Sequence, residues 1–161
     1  MIATPRLVLE PLRVEHAREM TAVLADPALH AFTGGAPLDA AELRARYERL
    51  AAGSPDPDVV WRNWVIRLAQ EDRLAGTVQA TIAGGVAEVA WVVGTPWQGQ
   101  GLATEAARAL VAHLRGEGVA TVVAHIHPEH RASAAVAAAV GLVPTGPVDT
   151  GEIRWALTLT E

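Results

Sequence analysis

The stretch Gln98-Gly99-Gln100-Gly101-Leu102-Ala103 follows an apolar run, Val86–Val93, and a short turn through Thr95-Pro96-Trp97. It opens an amphipathic segment, Leu102–Arg115, that reads as a helix closing at Gly116-Glu117-Gly118. The first amides of a helix have no backbone partner and lie at the positive end of its dipole. Two glycines just ahead of them let the main chain approach a phosphate closely. Strand, turn and helix therefore read either as a pyrophosphate cradle or as a loop that uses glycine only to turn. The glycines alone do not choose between these. Two other phosphate motifs fail here. A dinucleotide fingerprint needs a third glycine where Thr104 stands, and a P-loop needs a lysine that the chain lacks.

Outward from this unit the pattern is regular. Arg6–Leu12 alternates as a first strand, and Val14–Ala25 has helical spacing ended by Asp26-Pro27. Thr33-Gly34-Gly35-Ala36-Pro37 is a turn. Asp39 caps a second helix, Ala40–Ala52, and Gly53–Asp58 is the clearest loop. Trp61–Leu68, Leu74–Ile82 and Val86–Val93 read as strands joined by the turns Glu71-Asp72 and Gly84-Gly85. After the helix from Leu102 come a β-branched strand, Val119–His127, and an Ala-rich helix, Arg131–Val140, stopped by Gly141. A last strand spans Glu152–Thr160. There is no repeat and no linker. The order predicts one domain over 1–161, an α/β (α+β) sandwich around a mixed sheet.

Composition narrows the chemistry. The chain has 161 residues, 50% hydrophobic and 19% charged, enough for one self-sustaining core and unlike a disordered chain. No apolar run is long enough to span a bilayer, and the N-terminus lacks the order of a secretion signal, so a cytoplasmic protein is expected. A net charge of −5 argues against a nucleic-acid partner. With no cysteine there is no disulfide, thiolate metal site or cysteine nucleophile. All 13 basic residues are arginines, which removes a Schiff-base lysine and a lysine base. Heavy use of Ala, Arg, Gly and Pro points to a GC-rich bacterial genome.

Gln98–Ala103 resembles the signature Gln/Arg-x-x-Gly-x-Gly/Ala of the GNAT superfamily of N-acetyltransferases, placed between a fourth strand and a helix. His130-Arg131-Ala132-Ser133 and Gly141-Leu142 resemble that family's second block, Asn-x-Ala-Ser followed by Gly-Phe. Thr4–Leu9 and Trp97–Ala107 look like the branch containing ribosomal-protein N-terminal acetyltransferases. The resemblance covers essentially the whole chain. It implies a mixed, mostly antiparallel central sheet of about seven strands with helices on both faces. It also implies transfer of an acetyl group from acetyl-CoA to a primary amine by direct attack in a ternary complex. Backbone groups at Val92 and Val93 would align the pantetheine arm. Amides of Gln98, Gly99, Gln100, Gly101, Leu102, Ala103 and Thr104 would hold the pyrophosphate, with His130 in place of the usual asparagine. Ala137 stands where many members carry a tyrosine acid.

Such a transfer needs a base for the amine, a group to stabilise the oxyanion and a proton for the departing thiolate. Glu88 stands in an otherwise apolar strand, where burial would raise its pKa toward that of a useful base. Its structural role would be an ion pair with an arginine such as Arg67. Ser133 is the candidate thiolate donor; as a first-turn serine it could instead bond backbone. His125 is the reserve base. The run His125-Ile126-His127-Pro128-Glu129-His130 also resembles the zinc motif of metallo-β-lactamase-like hydrolases. No later histidine and no cysteine supply that fold's remaining ligands, so no metal is expected. Trp97 either covers the coenzyme or packs in its turn, and His16, His30 and His113 read as ordinary helix or loop residues. The expected acceptor is a small-molecule amine or a protein N-terminus, with a homodimer left open and no membrane partner. A non-catalytic acyl-CoA-binding module is the alternative function.

Overall fold

Alternating apolar residues, paired turn by turn, build the sheet that carries everything else. The computed structural model describes residues 1–159, and in it eight strands pair in the order β1-β2-β3-β4-β5-β6-β8-β7. They are β1 (Ile2–Ala3), β2 (Leu7–Pro11), β3 (Val60–Leu68), β4 (Arg73–Ala83), β5 (Val86–Val93), β6 (Thr121–Ile126), β7 (Val143–Pro147) and β8 (Ile153–Thr158). Neighbours run antiparallel except β5 and β6, which are parallel and joined by a helical crossover. The helices are α1 (His16–Val23), α2 (Ala40–Ala52), α3 (Leu102–Gly116) and α4 (Arg131–Val140). Single 3₁₀ turns fall at Pro27–His30 and Thr95–Trp97.

Adjacent strand residues face opposite sides of a sheet. Ile66 of β3 is buried in one cluster with Leu102, Ala106, Leu110 and Leu114 of α3 and Ala137 of α4. Val65, its neighbour, is buried with Ala17 and Met20 of α1 and Leu43 and Tyr47 of α2. The helices thus cover both faces, α1 and α2 on one side and α3 and α4 on the other. Local signals fix their ends. Asp39 accepts from the Glu42 amide at 2.8 Å while Glu42 accepts from the Asp39 amide at 3.1 Å, closing the first turn of α2. The hairpin between β4 and β5 turns on Gly84 and Gly85, whose φ of 58° and 79° suit a tight two-residue turn.

The expected mixed, mostly antiparallel sheet with helices on both faces is what the structure has, with eight strands where about seven were expected. Beyond the six strands that the sequence pattern marks, the structure adds two: β1, two residues long, and β7, Val-Pro-Thr-Gly-Pro. Proline removes a ladder donor but is tolerated on an edge strand, and β7 is an edge. The last strand ends at Thr158, and Thr160 lies outside the described residues. No helix among the described residues is long and apolar enough to cross a membrane.

One close contact in the sheet bears on the site. The β3–β4 register shifts between Ile66 and Arg67, leaving Ala75 as an extra residue beside Gly76. A Cβ on Gly76 would overlap the Val92 carbonyl oxygen and lie 3.0 Å from Val93 Cα. Backbone cannot give way as a flexible side chain does. Gly76→Ala should therefore lower stability by about 1–3 kcal/mol, read as a fall in the urea midpoint.

Candidate active site

The site begins where β5 and β6 part. Their ladder has three registered pairs, Val86 with Thr121, Ala87 with Val122 and Glu88 with Val123. Beyond Glu88 the strands diverge, and the opening leads into a cleft of about 1150 Å³. Val92 and Val93 of β5, Gln98 to Thr104 except Gln100, and Ser133 and Val136 of α4 lie along it, as do residues of α2.

At one end of the cleft the glycine turn meets α3. Gly99 and Gly101 have φ of 77° and 79°, the left-handed region that side chains with a Cβ adopt at a cost. Gly101 is the N-cap of α3 and no side chain caps it. Among the described residues, no amide from Gly99 to Thr104 donates to a side chain or to a carbonyl outside the helix. The Gln98 amide differs, since it donates to Thr95 O at 3.3 Å. Its side chain donates to the Val93 carbonyl at 2.9 Å, fastening the loop to the end of β5. The row of open donors thus starts one residue later than the sequence implies, and Leu102 serves the core as well, 4% exposed.

Sequence reasoning missed the group that holds this loop. Arg6 donates through Nη1 to the Gln100 carbonyl at 2.8 Å and through Nε to Glu105 at 2.7 Å. The Arg6 amide donates to the same carboxylate at 2.9 Å, and so does the Thr4 hydroxyl, at 2.5 Å. Burial pushes the Glu105 carboxyl up, but the bonds from Thr4 and Arg6 outweigh it and hold it below its usual range. The turn between β1 and β2 is thereby bolted to the first turn of α3. Its partners lie about a hundred residues apart, so no local pattern could reveal it.

Deeper in the opening, Glu88 and His125 meet. Even-numbered residues of β5 face away from α3, and there Glu88 bonds through Oε1 to Nδ1 of His125. The burial anticipated for Glu88 is not found: its side chain is 52% exposed, because α1 and α2 leave this part of the sheet open. Nor does Arg67 pair with it. Arg67 donates to Glu10 at 2.6 Å and to Asp72 at 3.2 Å. The two candidate bases are therefore one unit.

The start of α4 forms the facing wall. Ser133 Oγ lies 3.3 Å from Nε2 of His130, and the His130 ring stacks on Phe32 with centroids 4.5 Å apart. Burial, aided by the nearby His127, pushes the His130 pKa down. His127 Nδ1 accepts from the Glu129 amide at 3.0 Å. The three histidines thus have different hydrogen-bond partners, and among the described residues no group of three or more His, Asp or Glu side chains is placed to hold a metal ion. Ala137, at the position of the family's tyrosine, is 0% exposed and packs into the core, leaving Val136 to face the cleft one turn beyond Ser133. Trp97 packs between the two core clusters and covers Gly94, so packing accounts for it.

The family model "Acetyltransferase (GNAT) domain" matches residues 6–143, and the chain belongs to that family. No curated protein matches the sequence. Among solved structures, a GNAT-family acetyltransferase from Bacillus anthracis superposes with TM-score 0.83 at 17% identity, covering 99% of each chain. A ribosomal L7/L12 alpha-N-protein acetyltransferase in complex with coenzyme A gives 0.81 at 17% identity, over 96% of this chain and 95% of that one. An aminoglycoside acetyltransferase in complex with coenzyme A gives 0.78 at 18% identity, over 94% of each. At these identities the likeness is one of fold.

Two imidazoles make the fold sensitive to acid. His16, 5% exposed, accepts from the Arg13 amide at 2.9 Å, and burial together with the Arg13 charge lowers its pKa, as burial lowers that of His130. Both take up a proton more readily in the unfolded chain. Their contribution to stability is complete above the ordinary value of 6.5 and is lost as the pH falls through the lowered one. Urea midpoints should fall as the pH drops below about 6.5, and proton NMR should show both rings titrating below that value.

Proposed function

We propose that the protein transfers an acetyl group from acetyl-CoA to a primary amine by direct attack in a ternary complex. The observation that carries this is the opening between β5 and β6, with a row of open amides at one end and the Glu88–His125 pair inside. The open amides of Gly99 to Thr104 suit a pyrophosphate, since unpaired N–H groups and the positive end of α3 both attract it. The splayed edge of β5 at Val92 and Val93 suits an extended amide-bearing arm, which can add to it as a strand would. A bound thioester supplies an activated acetyl carbon and a thiolate leaving group.

The side chains divide the proton transfers. An ammonium cannot attack, so the acceptor must first lose a proton. Glu88 accepts from Nδ1–H of His125, which fixes the tautomer and leaves Nε2 as the ring's acceptor. His125 then takes the ammonium proton, directly or through one water, releases it to solvent, and takes the second as the C–N bond forms, while Glu88 orients the ring and steadies its positive charge. This differs from Glu88 as sole base, a role that rested on burial. As the C–N bond forms and the C–S bond breaks, the Ser133 hydroxyl protonates the departing sulfur. Neutral His130, in contact with Ser133, can return the proton to it from solvent.

A ligand that binds only the native state at 100 times its dissociation constant adds about 2.7 kcal/mol. Acetyl-CoA should raise the melting temperature accordingly, and an unchanged melt would remove the reading. His125→Ala and Glu88→Gln should each lower kcat, the former by ~10²–10⁴-fold, with acetyl-CoA affinity kept. Arg6→Ala should do the opposite, weakening acetyl-CoA binding about tenfold as the loop comes free, with a smaller change in kcat at saturation. Binding without turnover of any amine would favour the acyl-CoA-binding module.

A further inference from the structure

The other wall of the cleft is built of Leu12, Leu24, Leu29, Leu38, Leu43 and Leu50. They come from the end of β2, from α1, from the turn at Pro27–His30, from the loop before Asp39 and from α2. Its charge is unusual for a site meant to receive a polycation. Glu152 is the sole acidic residue among the described residues that line the cleft, with Glu88 reached through His125. Against it stand Arg46 and Arg131. A substrate with several ammonium groups needs several carboxylates to replace its water, and here it would meet cations instead.

A second observation concerns polar atoms. Among the described residues, two buried side-chain atoms lack a hydrogen-bond partner, the Tyr47 hydroxyl and His30 Nε2. Both belong to residues that line this cleft. An unsatisfied buried group costs about 1–3 kcal/mol, and elsewhere the side chains avoid that cost. Tyr47 is 2% exposed, so a ligand can reach its hydroxyl only if the wall yields slightly. The segment 31–38, most of which lines the same cleft, lies in no helix or strand and turns on Gly34 and Gly35, both with φ of 80°. That is where the wall can yield. Burial pushes the Tyr47 pKa up to about 12, so the hydroxyl stays a donor.

We propose that the acceptor is a hydrophobic primary monoamine bearing a hydrogen-bond-accepting oxygen, its apolar body against the leucine wall and its oxygen on the Tyr47 hydroxyl. The proposal rests on the acetyl-transfer reading and narrows it. A free carboxylate and a neutral carbonyl both satisfy the chemistry, and the test separates them.

The experiment measures kcat/KM of the full chain with acetyl-CoA and six amines: leucine, leucinamide, isopentylamine, glycinamide, spermidine and kanamycin. Leucine or leucinamide should lead, whichever carries the preferred oxygen. Isopentylamine lacks the oxygen and glycinamide lacks the apolar body, so both should trail. In Tyr47→Phe the ratio of the leading substrate to isopentylamine should fall about five- to tenfold, the worth of one hydrogen bond. Because the swap keeps the ring in the core, a general loss of structure would lower both substrates and leave the ratio alone. An unchanged ratio would overturn the proposal, and so would a lead for spermidine or kanamycin, while leaving acetyl transfer standing. Arg46→Glu, on an exposed helix face, should raise spermidine relative to leucinamide; no change there would also count against it. If no amine is acetylated although acetyl-CoA binds, both readings fall together.

Discussion

The structure depends on a parallel pairing that stops after three residues. Were β5 and β6 to run on as a ladder beyond Glu88 and Val123, the edge of β5 would be satisfied by its neighbour and the cleft would close. Because they part, a strand edge is left open inside a folded domain, normally an invitation to pair with another chain. Here the cleft runs along it, between residues of α4 and residues of α2. The cost of leaving those backbone groups without a ladder is borne where a ligand with amide groups of its own can fill them.

Keeping that opening in shape requires fastenings on both flanks. Gln98 ties the turn to the carbonyl of Val93, and Arg6 ties it to Glu105 and so to α3. On the other flank, the Thr95 hydroxyl donates to Asp26 at 2.7 Å, joining the start of the glycine turn to the segment after α1. That bond, followed by one from the Ala28 amide, holds the Asp26 carboxyl below its usual range. Single exposed pairs contribute little to stability. Their value here is positional: they hold a loop of left-handed glycines, which has much freedom to lose, in one conformation.

What the sequence revealed was what is local. The span Val86–Val93, the helix from Leu102, the capping Asp39 and the glycine turn all follow from periodicity or from one residue's conformational habits, and each lies where those habits put it. What escaped it depends on register. Glu88 reads as buried because its neighbours are apolar, yet alternation gives it a face that α1 and α2 do not cover. His125 becomes its partner only because parallel pairing sets Glu88 beside Val123, two residues before it. Ala137 read as a missing acid turns out to be a core residue, since the helix face it occupies packs inward. Tyr47, the chain's one tyrosine, has the spacing of a core residue and is one; only the packing shows its hydroxyl without a partner.

The two walls of the cleft then follow opposite rules, and the difference has a physical reason. On the proposed reading, the wall at α3 and α4 would hold the donor through backbone amides and an imidazole, groups that serve any acyl-CoA alike. The other wall is mostly apolar side chain, with Arg46, the Tyr47 hydroxyl, His30 and Thr33 as its polar groups, and on the proposed reading it is the wall that would meet the amine. A domain built this way keeps its donor site wherever the glycine turn and its fastenings are kept. Met20, Leu43, Tyr47 and Val65 share the core cluster behind the apolar wall, so the same helices both pack the sheet and face the cleft.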